Sequence, residues 1–174
     1  MLQWLQSKLV LLVSAIILIS SIVAVYNHQI ASMEEEKLRQ VAESIDKIIA
    51  ELAVNETGEK KQVMTFSESS QGIHIPSSVR GEKYNIEIYP TFIKITNQDI
   101  SIVRDFHTRI NPWSPEKMNQ TGYLPESEIE WRNSQRKPLS IQSGESDIEI
   151  RSLELYDGEK ENNQVFINEV NKSE

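Results

Sequence analysis

Residues 9–26 read LVLLVSAIILISSIVAVY, eighteen positions without a charged side chain and with Ser14, Ser20 and Ser21 as the polar members. At ~1.5 Å of rise per residue a helix of this length covers roughly 27 Å, which reaches the lower limit for spanning a bilayer. Trp4 and Tyr26 stand at its two ends, where amphipathic aromatic rings favour the headgroup zone. A cleaved secretory signal would show a shorter apolar run and a small-x-small site behind it. Val23, Val25 and Tyr26 are unsuited to such a site, and Ala31 lacks a small partner two residues upstream. The stretch therefore predicts an uncleaved single-pass anchor that meets membrane lipid through Leu9 to Tyr26.

On the N-terminal side, Lys8 is the only charged side chain before Glu34, whereas Glu34, Glu35 and Glu36 follow the run. This asymmetry predicts a cytoplasmic N-terminus and an outer C-terminal part. On the C-terminal side the apolar pattern changes character rather than ending. Ile30, Met33, Leu38, Val41, Ile45, Ile48 and Leu52 follow three-and-four spacing, with Arg39, Glu43, Asp46 and Lys47 on other faces. No Gly or Pro interrupts residues 9–53, so one helix of roughly 65 Å is expected, with stop signals near Asn55 and Gly58. Its amphipathic stripe has two readings: packing onto the chain's own sheet, or pairing with other copies as a coiled stalk.

Beyond Gly58 the period switches from near 3.6 to 2. Tyr84, Ile86 and Ile88 alternate with polar neighbours, as do Ile93 and Ile95, and Ile100 and Ile102 follow. Strands are also expected at residues 63–67, around Ile73 and Ile75, and at residues 128–132, 139–142, 147–155 and 164–170. Turns are expected at residues 80–82, 97–99 and 156–159. The stretch 107–126 holds Pro112, Pro115, Gly122 and Pro125 and has no sustained period, which predicts a loop. Seven or eight short strands after one helix leave no alternating helices for parallel crossovers.

The expected fold class is therefore α+β: a long N-terminal transmembrane-plus-amphipathic helix followed by an antiparallel β-rich domain, either sheet or sandwich. Residues 1–8 form a cytoplasmic leader, 9–26 the transmembrane helix, 27–53 an amphipathic neck, 59–170 an extracytoplasmic β-rich domain and 171–174 a frayed tail. A chain of 174 residues has room for one modest domain beside the anchor.

Composition excludes several functions. Net charge is −8, and beyond Lys8 the chain carries 17 basic against 26 acidic residues, the wrong sign for nucleic acid. With no Cys there is no disulfide framework, thiolate metal site or cysteine nucleophile. His28, His74 and His107 lack a His or Cys partner at ligand spacing, so no metal is expected; His107, near Asp105, is the most interesting of the three. There is no G-x-S-x-G, and the glycines are scattered, so neither that serine-nucleophile motif nor a Gly-rich phosphate loop is found. No cofactor and no catalysis are expected. Trp113 and Trp131 are candidate binding residues, since an exposed Trp makes a strong contact; the alternative is that they fill a small core. Asn55, Asn119 and Asn171 begin glycosylation-type sequons usable on the outer side.

Ser7-Lys8 before an apolar helix, its amphipathic continuation from Leu38 to Leu52, the strand-forming Gly81-Glu82-Lys83-Tyr84-Asn85-Ile86, and the late Ser140-Ile141-Gln142-Ser143-Gly144 and Ile148-Glu149-Ile150 together resemble the type IV pilin superfamily. More closely, the chain looks like archaeal pilin-like and archaellin-like secreted proteins. The resemblance is one of architecture and implies a structural or assembly protein of the cell surface, a minor component of a filament or secretion system, with homologous subunits as partners through the N-terminal helix. The other expectation, taken from the β-rich head and its tryptophans, is an anchored cell-envelope binding or adhesion module.

Overall fold

The structure, a computed structural model, describes residues 2–54, 58–66, 72–98, 100–113, 137–156 and 161–171. It is α+β: one helix, α1 (Leu2–Val54), precedes nine strands among the described residues. The chain divides into two compact units, Met1–Glu36 and Lys37–Glu174. In the first, the described side chains of the apolar run are exposed along every face of the helix.

The second unit begins with the rest of α1. Residues 37–54 are rich in Leu, Ala, Glu, Lys and Ile and contain neither Gly nor Pro, so helix is the favoured local state. Leu38, Val41, Ile45, Ile48, Ile49 and Leu52 are each 3% exposed or less. They share one apolar core with residues from both sheets, which settles the stripe from Leu38 onward as intrachain packing. The expected register fails at two places. Met33, assigned to the same stripe, is 63% exposed, and Asp46, assigned to the polar surface, is 3% exposed. The apolar face is broad enough, with Ala42 and Ile49 joining it, that Asp46 falls beneath the packed elements.

The helix ends against a late strand. Asn163 Nδ2 donates to the carbonyl oxygens of Leu52 at 3.0 Å and Ala53 at 3.2 Å, two of the acceptors a helix C-terminus leaves unsatisfied. The hydroxyl of Ser152 donates to Asn163 Oδ1, which turns the amide so that its NH₂ faces the helix.

The nine strands form two sheets. One has the order β2-β1-β8-β9-β6, from β1 (Lys60–Thr65), β2 (Ile73–His74), β6 (Ile110–Asn111), β8 (Ser146–Tyr156) and β9 (Glu161–Asn171). The other has the order β5-β4-β3-β7, from β3 (Asn85–Ile88), β4 (Phe92–Asn97), β5 (Ile100–Asp105) and β7 (Leu139–Gln142). The four-stranded sheet is antiparallel throughout. Its register aligns Ile141, Ile86, Ile95 and Ile102 in one cross-strand row, and Leu139, Ile88, Ile93 and Arg104 in the next. Side chains alternate between faces along a strand, so these rows share the core side, and Ile86, Ile88, Ile93 and Ile95 are wholly buried. Each such side chain contributes about 1.5–3 kcal/mol relative to exposure.

The five-stranded sheet is antiparallel at β1–β8 and β8–β9 but carries a two-residue parallel strand at either edge, β2 on β1 and β6 on β9. β6 falls inside the stretch expected as loop. Two residues are too few to show a period, and Ile110 is held by pairing with Val165 rather than by a local pattern. Asn171, expected in a frayed tail, pairs with Ser146 as the last residue of β9. The strand expected at residues 128–132 and the turn at 156–159 lie wholly or mostly outside the described residues.

Two corners set the topology. Val79 and Glu82 exchange backbone hydrogen bonds of 2.9 and 3.1 Å around Arg80 (φ 55°) and Gly81 (φ 81°), a turn with both central residues left-handed. At the other, where the chain leaves one sheet for the other, buried Ser143 donates through its hydroxyl to Ser77 O at 2.8 Å and accepts from Tyr84 N at 3.0 Å. Gly144 follows at φ 80°, a conformation that suits glycine.

Candidate functional site

Two features stand apart from ordinary core packing, one in each unit. In the first unit, the large apolar side chains from Leu9 to Tyr26 are between 45% and 69% exposed. Soluble surfaces rarely show contiguous apolar areas of this size. The helix is long and apolar enough to cross a membrane. Ser21, within it, donates its hydroxyl to Ile17 O at 2.8 Å, so this polar group is satisfied inside the helix, as an apolar surrounding requires. At its N-terminal end the Lys8 ammonium lies 4.0 Å from the centroid of the Trp4 ring, a cation–π pair of an aromatic and a cation that both suit the headgroup zone.

In the second unit, an ionic cluster joins α1 to β5. Arg104 occupies the third core-facing position of β5, after Ile100 and Ile102. Its Nε donates to Asp46 Oδ2 at 3.0 Å and its Nη1 to Glu43 Oε1 at 3.2 Å. His107 Nδ1 lies 3.4 Å from Asp46 Oδ1 and 3.3 Å from Oδ2. The Asp46 side chain is 4% exposed while that of His107 is 77% exposed. His107 thus meets a carboxylate, but it is Asp46 of the helix rather than its sequence neighbour Asp105, which the alternation of β5 turns to the opposite face. The arrangement supplies a desolvated carboxylate with an Arg and a His around it. Among the described residues no three His, Cys, Asp or Glu side chains assemble into a metal-binding group. Its evident work is to fasten the edge of the four-stranded sheet to the helix.

The other expected site residues fare differently. Trp113 is 7% exposed, follows buried Pro112 and is packed rather than presented; its Nε1 is buried with no hydrogen-bond partner among the described residues. Trp131, Asn55 and Asn119 lie outside the described residues, and Asn171 is placed by its backbone in β9. His28 and His74 are exposed.

Sequence reading missed a second buried carboxylate. Glu149 on β8 is 3% exposed, paired with Lys61 and lying 2.7 Å from Arg151 Nε. By register it belongs to the row Val63, Glu149 and Asn168, on the face opposite to Ile148 and Ile150. Glu149 sits between two isoleucines in an apparently amphipathic strand, and nothing local marks it as covered. Burial pushes the pKa of the Tyr84 phenol well above its usual range; its hydroxyl donates to Pro76 O.

Comparison of the chain with known protein families, with curated proteins and with solved structures gives no match.

Proposed function

We propose that this chain is a membrane-anchored extracytoplasmic structural or assembly protein, held in the bilayer by residues 9–26, with its β-rich unit as a head and with the architecture of a minor pilin-like component of a surface filament or secretion system. One observation carries the reading: a charge-free helical run whose large side chains are exposed all round. Left in water these side chains would each forgo about 1.5 kcal/mol or more of burial. A bilayer supplies that burial, and the intrahelical hydrogen bonds satisfy the backbone there.

The head supports a structural role more than a chemical one. Asp46 and Glu149, both buried, are committed to cations of the same unit, Asp46 to Arg104 and Glu149 to Lys61 and Arg151. Trp113, the described tryptophan of the binding reading, is packed away.

The test is fractionation and topology mapping of the full chain in a native-type membrane. The expected result is a protein that resists alkaline carbonate, is released by detergent, and exposes its C-terminal unit to protease added outside. Recovery in the soluble fraction, or digestion from the cytoplasmic side alone, would overturn the anchor or its orientation. Mapping the mature N-terminus, and recovering higher-order assemblies by shearing, tests the assembly part.

A further inference from the structure

We propose that β5 is a self-association edge, pairing antiparallel with β5 of a second copy of this chain in a register centred on Val103. Among the described residues β5 lies at the end of the four-stranded sheet, bonded to β4 on one side. Exposed edges are usually blunted by being very short, by Pro, by charged side chains pointing outward or inward, by a bulge or by a covering element. The edges β2 and β6 are two residues each, and β7 is four residues directly behind Pro138. β5 has six residues, Ile-Ser-Ile-Val-Arg-Asp, no Pro and an unbroken one-to-one register with β4; of its two charges, Arg104 is turned inward and neutralised by Asp46 and Glu43, and Asp105 stands on the outer face. Among the described residues of its unit, Val103 is the most exposed large apolar side chain placed in a strand, at 59%.

The register follows from which backbone groups are free. Phe106 N donates to Thr91 O at 2.8 Å, just past the pairing of Asp105 with Phe92. Backbone groups alternate in direction along an antiparallel strand. The even-numbered residues Ile100, Ile102 and Arg104 therefore bond to β4, and Ser101, Val103 and Asp105 point their N–H and C=O away from it. A second strand must oppose odd residues to odd residues. Centring on Val103 uses all three: Val103 faces Val103 of the other copy, and Ser101 faces Asp105 twice. Shifting by two residues either way leaves only one or two of these pairs.

The side chains agree with that register. Ser101, Val103 and Asp105 share the outer face, so two valines meet on the twofold axis and each Ser101 hydroxyl can donate to the carboxylate of the opposing Asp105. Cross-strand pairs of this kind favour one register over its neighbours. The complementarity is of the strand with itself, which selects a second copy over an unrelated peptide. Arg104, on the other face, keeps its bonds to Asp46 and Glu43.

The absence of cysteine makes the test direct. In the full chain held in detergent micelles, Val103→Cys should form a covalent dimer under mild oxidation, because facing Cα atoms in such a pair are about 5.5 Å apart, within disulfide reach. Thr96→Cys, on the same face but one strand inward, should not. Val103→Pro removes an outward N–H and none of the bonds to β4, so the fold should persist while the dissociation constant of the dimer rises about tenfold or more, from the loss of two symmetry-related hydrogen bonds. Three results would overturn the proposal: a wild-type chain that stays monomeric at high concentration, a dimer indifferent to Val103→Pro, which places the contact on another surface, or equal cross-linking at positions 96 and 103. If Val103→Pro fails to fold, the cysteine pair decides. A chain that dimerises through β5 yet does not partition into membranes would overturn the anchoring reading and leave this one standing.

Discussion

Arg104 Nε donates to Asp46 Oδ2 across 3.0 Å, a strand-edge cation reaching a helix carboxylate from a position where the sheet otherwise presents isoleucine. Removing one partner should cost more than removing both. Arg104→Ala leaves the buried Asp46 carboxylate with His107 as its remaining neighbour in the cluster, and about 2 kcal/mol of stability should be lost, as for a charged hydrogen bond. Asp46→Leu combined with Arg104→Met should recover most of it, because an apolar pair of similar volume needs no desolvation of charge. Denaturant titration of the detergent-solubilised chain measures both; equal losses in the single and double variants would show that packing, not charge, holds this edge.

The amide cap on α1 gives an ordering of variants. Asn163→Ala should destabilise by about 1 kcal/mol, the usual net value of such hydrogen bonds. Asn163→Asp should be worse, since it sets a carboxylate against the Leu52 and Ala53 carbonyls at the negative end of the helix dipole. Ser152→Ala should fall between wild type and Asn163→Ala, because the hydroxyl orients the amide without touching the helix. A reversed order of the two Asn163 variants, read from thermal unfolding, would contradict the cap.

Tyr84 predicts an alkaline limit. Burial raises its pKa above the ordinary value of 10.0, so the folded chain holds this proton where the unfolded chain releases it. The stabilisation is complete below pH 10.0 and declines as pH rises above it. Tyr84→Phe should flatten that decline while losing about 1 kcal/mol at neutral pH through the missing bond to Pro76 O. Stability curves taken from pH 8 upward, at roughly unit steps, test it; parallel curves for the two chains would assign the alkaline loss to other groups.

Charge placed in the apolar run should abolish membrane retention. Ile17→Lys with Ile22→Lys adds about 2.5–3.5 kcal/mol per residue against insertion, and the variant should move from the membrane pellet to the soluble or aggregated fraction. Met33→Lys, outside the run, should leave retention unchanged. Retention of the double variant would mean that something other than residues 9–26 holds the protein.

How much of this was legible varies with the range of the interaction that fixes each feature. The strands at residues 84–88, 92–96 and 100–102 announced themselves because isoleucine alternates with polar residues, and the alternation survives as burial. β1 was expected at residues 63–67 and lies at Lys60–Thr65: Lys60, Lys61 and Gln62 are polar, and they become strand through backbone pairing with residues 150–152 of β8. The division into two sheets was open in the sequence, since it depends on which strands pair across intervals of fifty residues or more. The Asp46 cluster was hidden for the same reason, with partners 58 and 61 positions away. One clue was present. After Ile100 and Ile102, the next residue of matching parity is Arg104, and a charge in a core-facing slot asks for a buried counter-charge.

The bond between Asn163 and Leu52 joins residues 111 positions apart, and it dates the completion of the core. The helix and β1 come early in synthesis, whereas β8 and β9, which cover part of the helix and supply its cap, come last. At ~5–20 residues per second of translation, the apolar stripe from Leu38 to Leu52 waits roughly 5–20 s for its final cover. Pairings of this span also place the head among slow folders, on the scale of milliseconds to seconds once the whole chain is present. The nascent protein therefore passes through an interval in which two apolar surfaces, residues 9–26 and the stripe behind them, are both uncovered, and only the second is closed by the late strands.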